Sequence, residues 1–381
     1  ASAATHGYLP LLSVSDSAVR AQIQVGIESY RELFGCDPRG FWLPECGYYP
    51  GVEDLLKENG IRYTILETHG LTHAASRPTF GVYAPIYCPS GVAAFGRDPE
   101  SSKQVWSATE GYPGDPDYRE YYRDIGYDLD KRYIGPYIHK DGIRIDTGFK
   151  YYRITGDSAK KQMYVPEWAE QKAESHASDF LAKKNRQIGE LASRMDRKPL
   201  IVAPYDAELF GHWWFEGPRW LDYLLRKVAL EQRAIRLITL SEYLQAYPVN
   251  QISVPSASSW GEGGFHRKWL NESNDWIYRH LHQAADIMEK LAKAHTQTDG
   301  LMQRALNQAA RELLLAQASD WAFIMSAGTM SEYAKRRTKE HLTRFTRLAG
   351  EIESRCIDET WLSEIESRDN IFPKLNYRVF A

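Results

Sequence analysis

The sequence predicts an α/β fold, a parallel sheet with crossover helices, followed by an all-helical C-terminal region. Three observations carry that expectation. Short apolar runs alternate with amphipathic helical patterns early in the chain and again between Leu200 and Leu240. Two of those runs lead into an acidic residue, Glu45 in Phe41-Trp42-Leu43-Pro44-Glu45 and Asp206 in Ala203-Pro204-Tyr205-Asp206. Beyond Pro248, three long helical patterns follow with no strand alternation between them.

In chain order, Thr5 to Leu12 reads as a strand exit or loop. Ser15-Asp16 supplies N-cap chemistry for a helix carrying Val19, Ile23, Ile27, Tyr30 and Phe34, and Gly35 with Asp37-Pro38 ends it. Phe41 to Leu43 is a short buried strand. Val52, Leu55 and Leu56 mark a helix closed by Gly60, and Ile61 to Leu66 is the next strand. From His69 to about Asp157 the periodicity fades into Gly, Pro, Tyr and Arg. A loop of that length is functional or has small folds of its own, so it is expected to roof a site, with Trp106, Tyr112, Tyr118, Tyr121 and Tyr122 as contacts. Pro166 to Met195 is helical, and Leu200 to Ala203 is a strand leading to Asp206. Arg219 to Gln232 is a helix with Leu221, Leu224, Leu225 and Val228 inward, Arg236 to Leu240 a strand, and Ser241 a cap. Ser256 to Leu270 is a Gly/Ser/Trp segment. Of the three terminal helices, the first carries Ile277, Leu281, Met288 and Leu291, and the second runs from Leu306 through Trp321. Gly328-Thr329 separates it from a third with Tyr333, Phe345, Leu348 and Ile352.

Composition narrows the function classes. The 381 residues allow more than one domain or a barrel with additions, and 43% hydrophobic content supports a sizeable core. A net charge of −3 gives no electrostatic reason to expect nucleic acid or an anionic membrane as partner. No apolar run approaches the roughly 20 residues that span a bilayer. Cys36, Cys46, Cys88 and Cys356 are scattered without a CxxC pair, which fits a reducing cytoplasm and indicates neither a zinc knuckle nor a disulfide scaffold. The 11 Trp and 24 Tyr are many for this length, and several lie in Gly- and Pro-rich segments, where flat rings can wall a sugar site.

Two acids at strand ends, ringed by aromatic and imidazole groups, suit glycosyl chemistry. Retaining glycosidases need two carboxyl groups about 5–5.5 Å apart, one nucleophile and one general acid/base, and the acid must be buried or crowded to hold its proton. Each residue has a plainer account as well. Glu45 is equally compatible with a buried ion pair at the Pro44 turn, Asp206 with a loop clip to Glu208 and His212, and His6 with a bond to a backbone carbonyl. Their convergence at one end of the sheet favours the site.

Four segments together, Ala4-Thr5-His6-Gly7-Tyr8-Leu9-Pro10-Leu11, Trp42-Leu43-Pro44-Glu45, Tyr205 through Trp214 extended to Phe215-Glu216-Gly217-Pro218, and Ser259-Trp260-Gly261-Glu262, resemble successive signature regions of glycoside hydrolase family 57. Within the family, the 1,4-α-glucan branching enzymes are the nearest pattern. The resemblance implies an incomplete, TIM-like (β/α)7 barrel with an inserted segment and an all-helical C-terminal domain. The expected division is barrel over 1–47, inserted segment over 48–105, barrel again over 106–252 and helical domain over 253–381. It also implies Glu45 as catalytic nucleophile and Asp206 as general acid/base. His6 and His212 would line the sugar subsite next to the cleaved bond, and Trp260 and Trp269 the acceptor side. Trp42, Tyr112 and Trp213 complete the expected substrate-binding set. No metal or organic cofactor is implied.

The implied activity is cleavage of an α-1,4-glucan and transfer to a 6-hydroxyl, with the glucan as both donor and acceptor. An α-amylase or a 4-α-glucanotransferase on the same scaffold is the alternative. Further off stand a metal-dependent carbohydrate deacetylase using His6, Glu45, Asp206 and His212, and a non-catalytic glucan-binding module. Neither His6 nor His212 lies in an HxxxH or HExxH spacing that would support the former. The family's first His-containing signature has no counterpart here, and Ala1-Ser2-Ala3-Ala4 reads as the end of a strand inside a longer protein. A longer enzyme, or a separate N-terminal fragment completing the barrel, is therefore expected. A barrel without its first strands exposes sheet edges, so these residues are not expected to be stable or active alone.

Overall fold

Local signals set the first elements of the chain, whose computed structural model describes residues 1–107, 110–139, 142–156 and 160–381. A single turn, α1 (Leu9–Leu12), stands where a loop was expected, with Pro10 in its first turn, where a fixed φ suits a helix start. α2 (Asp16–Phe34) begins at Ser15, whose side chain accepts from the Ala18 N–H. It stops at Gly35, whose φ of 67° is the left-handed conformation glycine tolerates. β1 (Gly40–Phe41), α3 (Val52–Glu58) and β2 (Tyr63–Leu66) follow, and β1 pairs with β2 in parallel, Phe41 opposite Thr64.

After α4 (Thr68–Thr72) and β3 (Ile86–Tyr87) comes β4 (Ala93–Gly96), parallel to β2 on its other side. The sheet runs β1–β2–β4–β3, with β3 antiparallel at the edge. β4 lies within the 48–105 stretch expected as an insertion. Ala93, Ala94 and Phe95 are buried on both faces, so the strand shows no alternation, and its small side chains give little apolar signal. Asp157, where the irregular stretch was expected to end, lies outside the described residues.

The chain forms two compact units, residues 1–96 with 249–381, and residues 97–248. The second contains α5 (Pro99–Trp106), the single turns α6 (Ile125–Asp128) and α7 (Lys131–Ile134), α8 (Pro166–Ala192), α9 (Gly217–Leu230) and α10 (Leu240–Ala246). Ala169, Ala173 and Ala177, spaced by four along α8, leave room for Trp214 and Trp220 in the core of this unit. Trp220 thereby sets the buried face of α9, and Leu221 and Leu225, expected inward, are exposed. Leu200–Ala203 and 236–239 do not form the expected strands. A short apolar run becomes a strand only where a ladder partner meets it, and among the described residues the run's backbone ladder is reduced to Val202 O accepting from the Asp98 N–H at 2.8 Å. Thr239, rather than Ser241, caps α10, exchanging hydrogen bonds with Glu242 in a capping box.

The C-terminal part of the first unit is helical: α11 (Trp276–Ala294), α12 (Gly300–Ala316), α13 (Ser319–Ala327), α14 (Ser331–Ser354) and α15 (Glu359–Arg368). The helix expected to run through Trp321 is broken at Gln317, so Trp321 belongs to α13. Met288, Leu306, Leu313, Leu348 and Ile352 share one core with Ala18, Ala21 and Val25 of α2. Inside this helical region lies a buried polar network. Gln308 Nε2 donates to Glu312 Oε1 at 2.9 Å, and Glu312 Oε2 lies 2.6 Å from His341 Nδ1. Arg337 can only donate, and its Nη2 is 3.1 Å from His341 Nε2, so the His341 proton sits on Nδ1. Arg344 pairs with Asp369 and lies 3.8 Å from Glu312. Glu312, His341 and Asp369 cluster as metal ligands do, but the two guanidinium groups already neutralise them.

Candidate active site

Glu45 follows β1 in a one-turn 3-10 segment, Pro44–Cys46. Glu45 and Cys46 both have left-handed backbone, with φ of 62° and 52°. Such a conformation costs of order 1–3 kcal/mol outside glycine and persists where the surroundings over-determine it. Here Cys46 N donates to Leu43 O and Gly47 N to Pro44 O, each at 2.9 Å, and Trp260 N donates to Glu45 O at 3.0 Å. The turn thus faces the Glu45 carboxylate toward Trp260, whose indole N–H donates to Oε2 at 2.7 Å. Ser319 Oγ donates to Oε1 at 3.3 Å, and His6 Nε2 lies 4.0 Å from the same oxygen.

The side chains expected around Glu45 fall into two groups. His6, itself left-handed with φ of 56°, Trp42 and Trp260 are half-buried, and the two tryptophan rings meet edge-on at 4.9 Å. Trp269 is buried and does not present a free ring. It stacks on Tyr8 at 4.3 Å, and a Cβ at Gly261 would lie 2.5 Å from it, so the glycine of the Trp-Gly-Glu segment makes room for this packing. Tyr8, in the first signature segment, and His266, which the sequence did not single out, are 2.9 Å apart, Oη to Nδ1. Burial raises the Tyr8 phenol and lowers the His266 imidazole, so both partners favour their neutral forms.

Asp206 belongs to the second unit and precedes a 3-10 turn, Ala207–Leu209. Its Oδ2 accepts from the Trp106 indole N–H at 2.8 Å. Burial pushes the Asp206 carboxyl above the ordinary aspartate range and Glu208 adds to it, while the Trp106 hydrogen bond and Arg97 pull the other way. Nearby in the chain, His212 and Trp213 are exposed. Trp213 stacks on Tyr121 at 4.5 Å, and the Tyr121 hydroxyl is 3.3 Å from His212 Nε2, leaving a flat aromatic platform. Tyr112 is not part of it. It is buried and donates to Asp179 Oδ2 at 2.7 Å beside His176. Tyr118 is likewise core, bonded to His176, whereas Tyr122 is exposed. Glu216, in the second motif, is buried with Oε1 accepting from Arg119 N at 3.1 Å.

Glu45 thus has a donor on each carboxylate oxygen, whereas burial raises the Asp206 carboxyl above the ordinary aspartate range. The profile of glycosyl hydrolase family 57 matches residues 1–255. The chain belongs to glycosyl hydrolase family 57. A second profile, described as the C-terminal region of 1,4-alpha-glucan branching enzymes, matches residues 280–380 of this family 57 chain. A 1,4-alpha-glucan branching enzyme of Thermococcus kodakarensis is 38% identical over 97% of the chain, which spans 57% of that relative's length. The solved structure of a family 57 branching enzyme from the same organism superposes with a TM-score of 0.88 at 36% identity, covering 100% of this chain and 71% of that one. An alpha-amylase from Thermotoga maritima superposes with a TM-score of 0.92 at 47% identity, covering 100% of this chain and 72% of that one. Among the described residues, no helix is long and apolar enough to cross a membrane.

Proposed function

We propose that this chain carries the catalytic pair of a 1,4-α-glucan branching enzyme, with Glu45 as nucleophile and Asp206 as general acid/base. The contrast between the two carboxyl environments carries the reading. Glu45 attacks the anomeric carbon of an α-1,4-linked glucan as the bond from that carbon to the leaving oxygen breaks. Asp206 gives its proton to that oxygen. A 6-hydroxyl of an acceptor glucan then loses its proton to Asp206 and displaces Glu45, leaving an α-1,6 branch with the original anomeric configuration. The reaction requires both carboxyl groups at one glycosidic bond, about 5–5.5 Å apart. His6, Trp42 and Trp260 would border the sugar at Glu45, and Trp213 with His212 would offer a stacking face near Asp206. Trp269 and Tyr112 would act from behind, by packing.

An α-1,4-glucan is thus the proposed donor and acceptor, no cofactor enters the steps, and the proposed architecture is the incomplete (β/α)7 barrel of the resemblance. No disulfide joins Cys36, Cys46, Cys88 or Cys356 among the described residues, and a reducing cytoplasm is the proposed location. Hydrolysis is the second reading, favoured by the likeness to the Thermotoga alpha-amylase. Incubation with amylose separates them. Branching adds α-1,6 linkages with few new reducing ends, whereas hydrolysis releases reducing ends alone. Glu45→Gln should abolish both, and substantial residual turnover would refute the nucleophile assignment.

A further inference from the structure

We propose that Ser319 is a positioning residue for Glu45, so that the helical C-terminal region acts directly on the reacting carboxylate; this rests on the nucleophile reading of Glu45. Ser319 opens α13, belongs to none of the motifs, and is only 3% exposed. Its hydroxyl donates to Glu45 Oε1 at 3.3 Å while the Trp260 indole holds Oε2 at 2.7 Å. The terminal torsion of a glutamate is broad and leaves the carboxylate plane free to rotate. A donor on each oxygen removes that freedom, so one oxygen can be aimed at the anomeric carbon. A near-attack arrangement of this kind depends on sub-ångström placement.

The start of α13 is itself fixed on several sides. Ser319 N donates to His6 O at 3.2 Å, tying the helix to the second residue that borders Glu45. Gln317, in the break before the helix, accepts from Gln22 of α2 at 3.0 Å. Trp321, two residues on, donates through Nε1 to Leu315 O at 2.8 Å, and its ring lies 6.1 Å from Tyr333 and 6.4 Å from His341. The buried network of Glu312 on α12, His341 and Arg344 on α14 and Asp369 just after α15 therefore backs the helix that carries Ser319. The break after Ala316 serves a purpose on this account: a continuous helix would carry the Ser319 backbone away from His6.

The test is steady-state kinetics on Ser319→Ala and Ser319→Thr in the complete protein, with Glu45→Gln as reference. Losing one hydrogen bond to a charged group and the alignment it gives should lower kcat about 10-fold with KM within about twofold. The same loss is expected with α-glucosyl fluoride, whose leaving fluoride needs little proton donation and so reads the attack itself. Ser319→Thr keeps the hydroxyl and should recover kcat to within about threefold of the parent. Melting temperatures of both variants check that folding is intact. An Ala variant within twofold of the parent, a loss confined to KM, or a folded Thr variant as slow as Ala overturns the proposal. If Glu45→Gln is inactive while Ser319→Ala is unchanged, only the Ser319 role falls; an active Glu45→Gln removes the nucleophile reading and this inference with it.

Discussion

Glu45 and Asp206 each accept a hydrogen bond from a tryptophan indole, Trp260 at 2.7 Å and Trp106 at 2.8 Å. The same kind of donor serves each, yet the settings differ. Glu45 receives a second donor, Ser319, on its other oxygen and sits on a left-handed turn closed by backbone hydrogen bonds. Asp206 is pushed toward its protonated form by burial and Glu208, with Trp106 and Arg97 opposing. Donors to the ionised form favour a carboxylate, and desolvation favours the neutral acid. The balance of these effects, not the identity of the nearest partner, distinguishes the two proposed roles.

The largest expected effect is Glu45→Gln, which should lower turnover by at least about 10⁴-fold on every glucosyl donor. Asp206→Asn should cost about 10²–10⁴-fold on amylose and far less on cleavage of α-glucosyl fluoride, whose leaving group needs little protonation. Equal losses on the two donors would break the division of roles. Next comes the scaffold behind Glu45. Arg344→Ala leaves Glu312 and Asp369 short of a buried cation and should destabilise the unit that holds Glu45 by about 3–5 kcal/mol, read from urea unfolding. Asp206 lies in the other unit, so a tryptophan probe near it should keep its own midpoint. The smallest effect concerns Trp106→Phe. Removing a donor to the ionised form raises the Asp206 pKa further, so the alkaline limb of the kcat/KM profile should move to higher pH. A move to lower pH would show that the indole does not hold the Asp206 carboxylate.

Much of the first unit was legible because its signals are local. Ser15 and Gly35 bound α2 where the capping pattern places them, and the parallel pairing of β1 with β2 follows from strand–helix–strand order. β4 was hidden because burial on both faces removes alternation and Ala93 and Ala94 give little apolar contrast. The inward face of α9 was misread at Leu221 and Leu225 for a different reason: aliphatic residues outnumber one Trp220, but the indole buries more surface and wins the core, against which Leu224 packs. At the site, the two acids stood out through their aromatic neighbours and through the family resemblance. Ser319 gave no such signal, since a serine starting a helix is an ordinary cap in sequence.

What the sequence determined by itself is therefore the set of contiguous features: helix limits set by caps and glycines, the α/β-then-helical order, and the acidic motifs. Tertiary structure alone decided which oxygen of Glu45 meets Trp260 and which meets Ser319, residues 215 and 274 positions away. It also decided that Trp269 backs Tyr8 and that Asp206 holds its proton more tightly than an exposed aspartate. Caps and turns are written within a few residues because they close hydrogen bonds between near neighbours. Desolvation and side-chain orientation are sums over atoms that only folding brings together, and no stretch of sequence contains that sum.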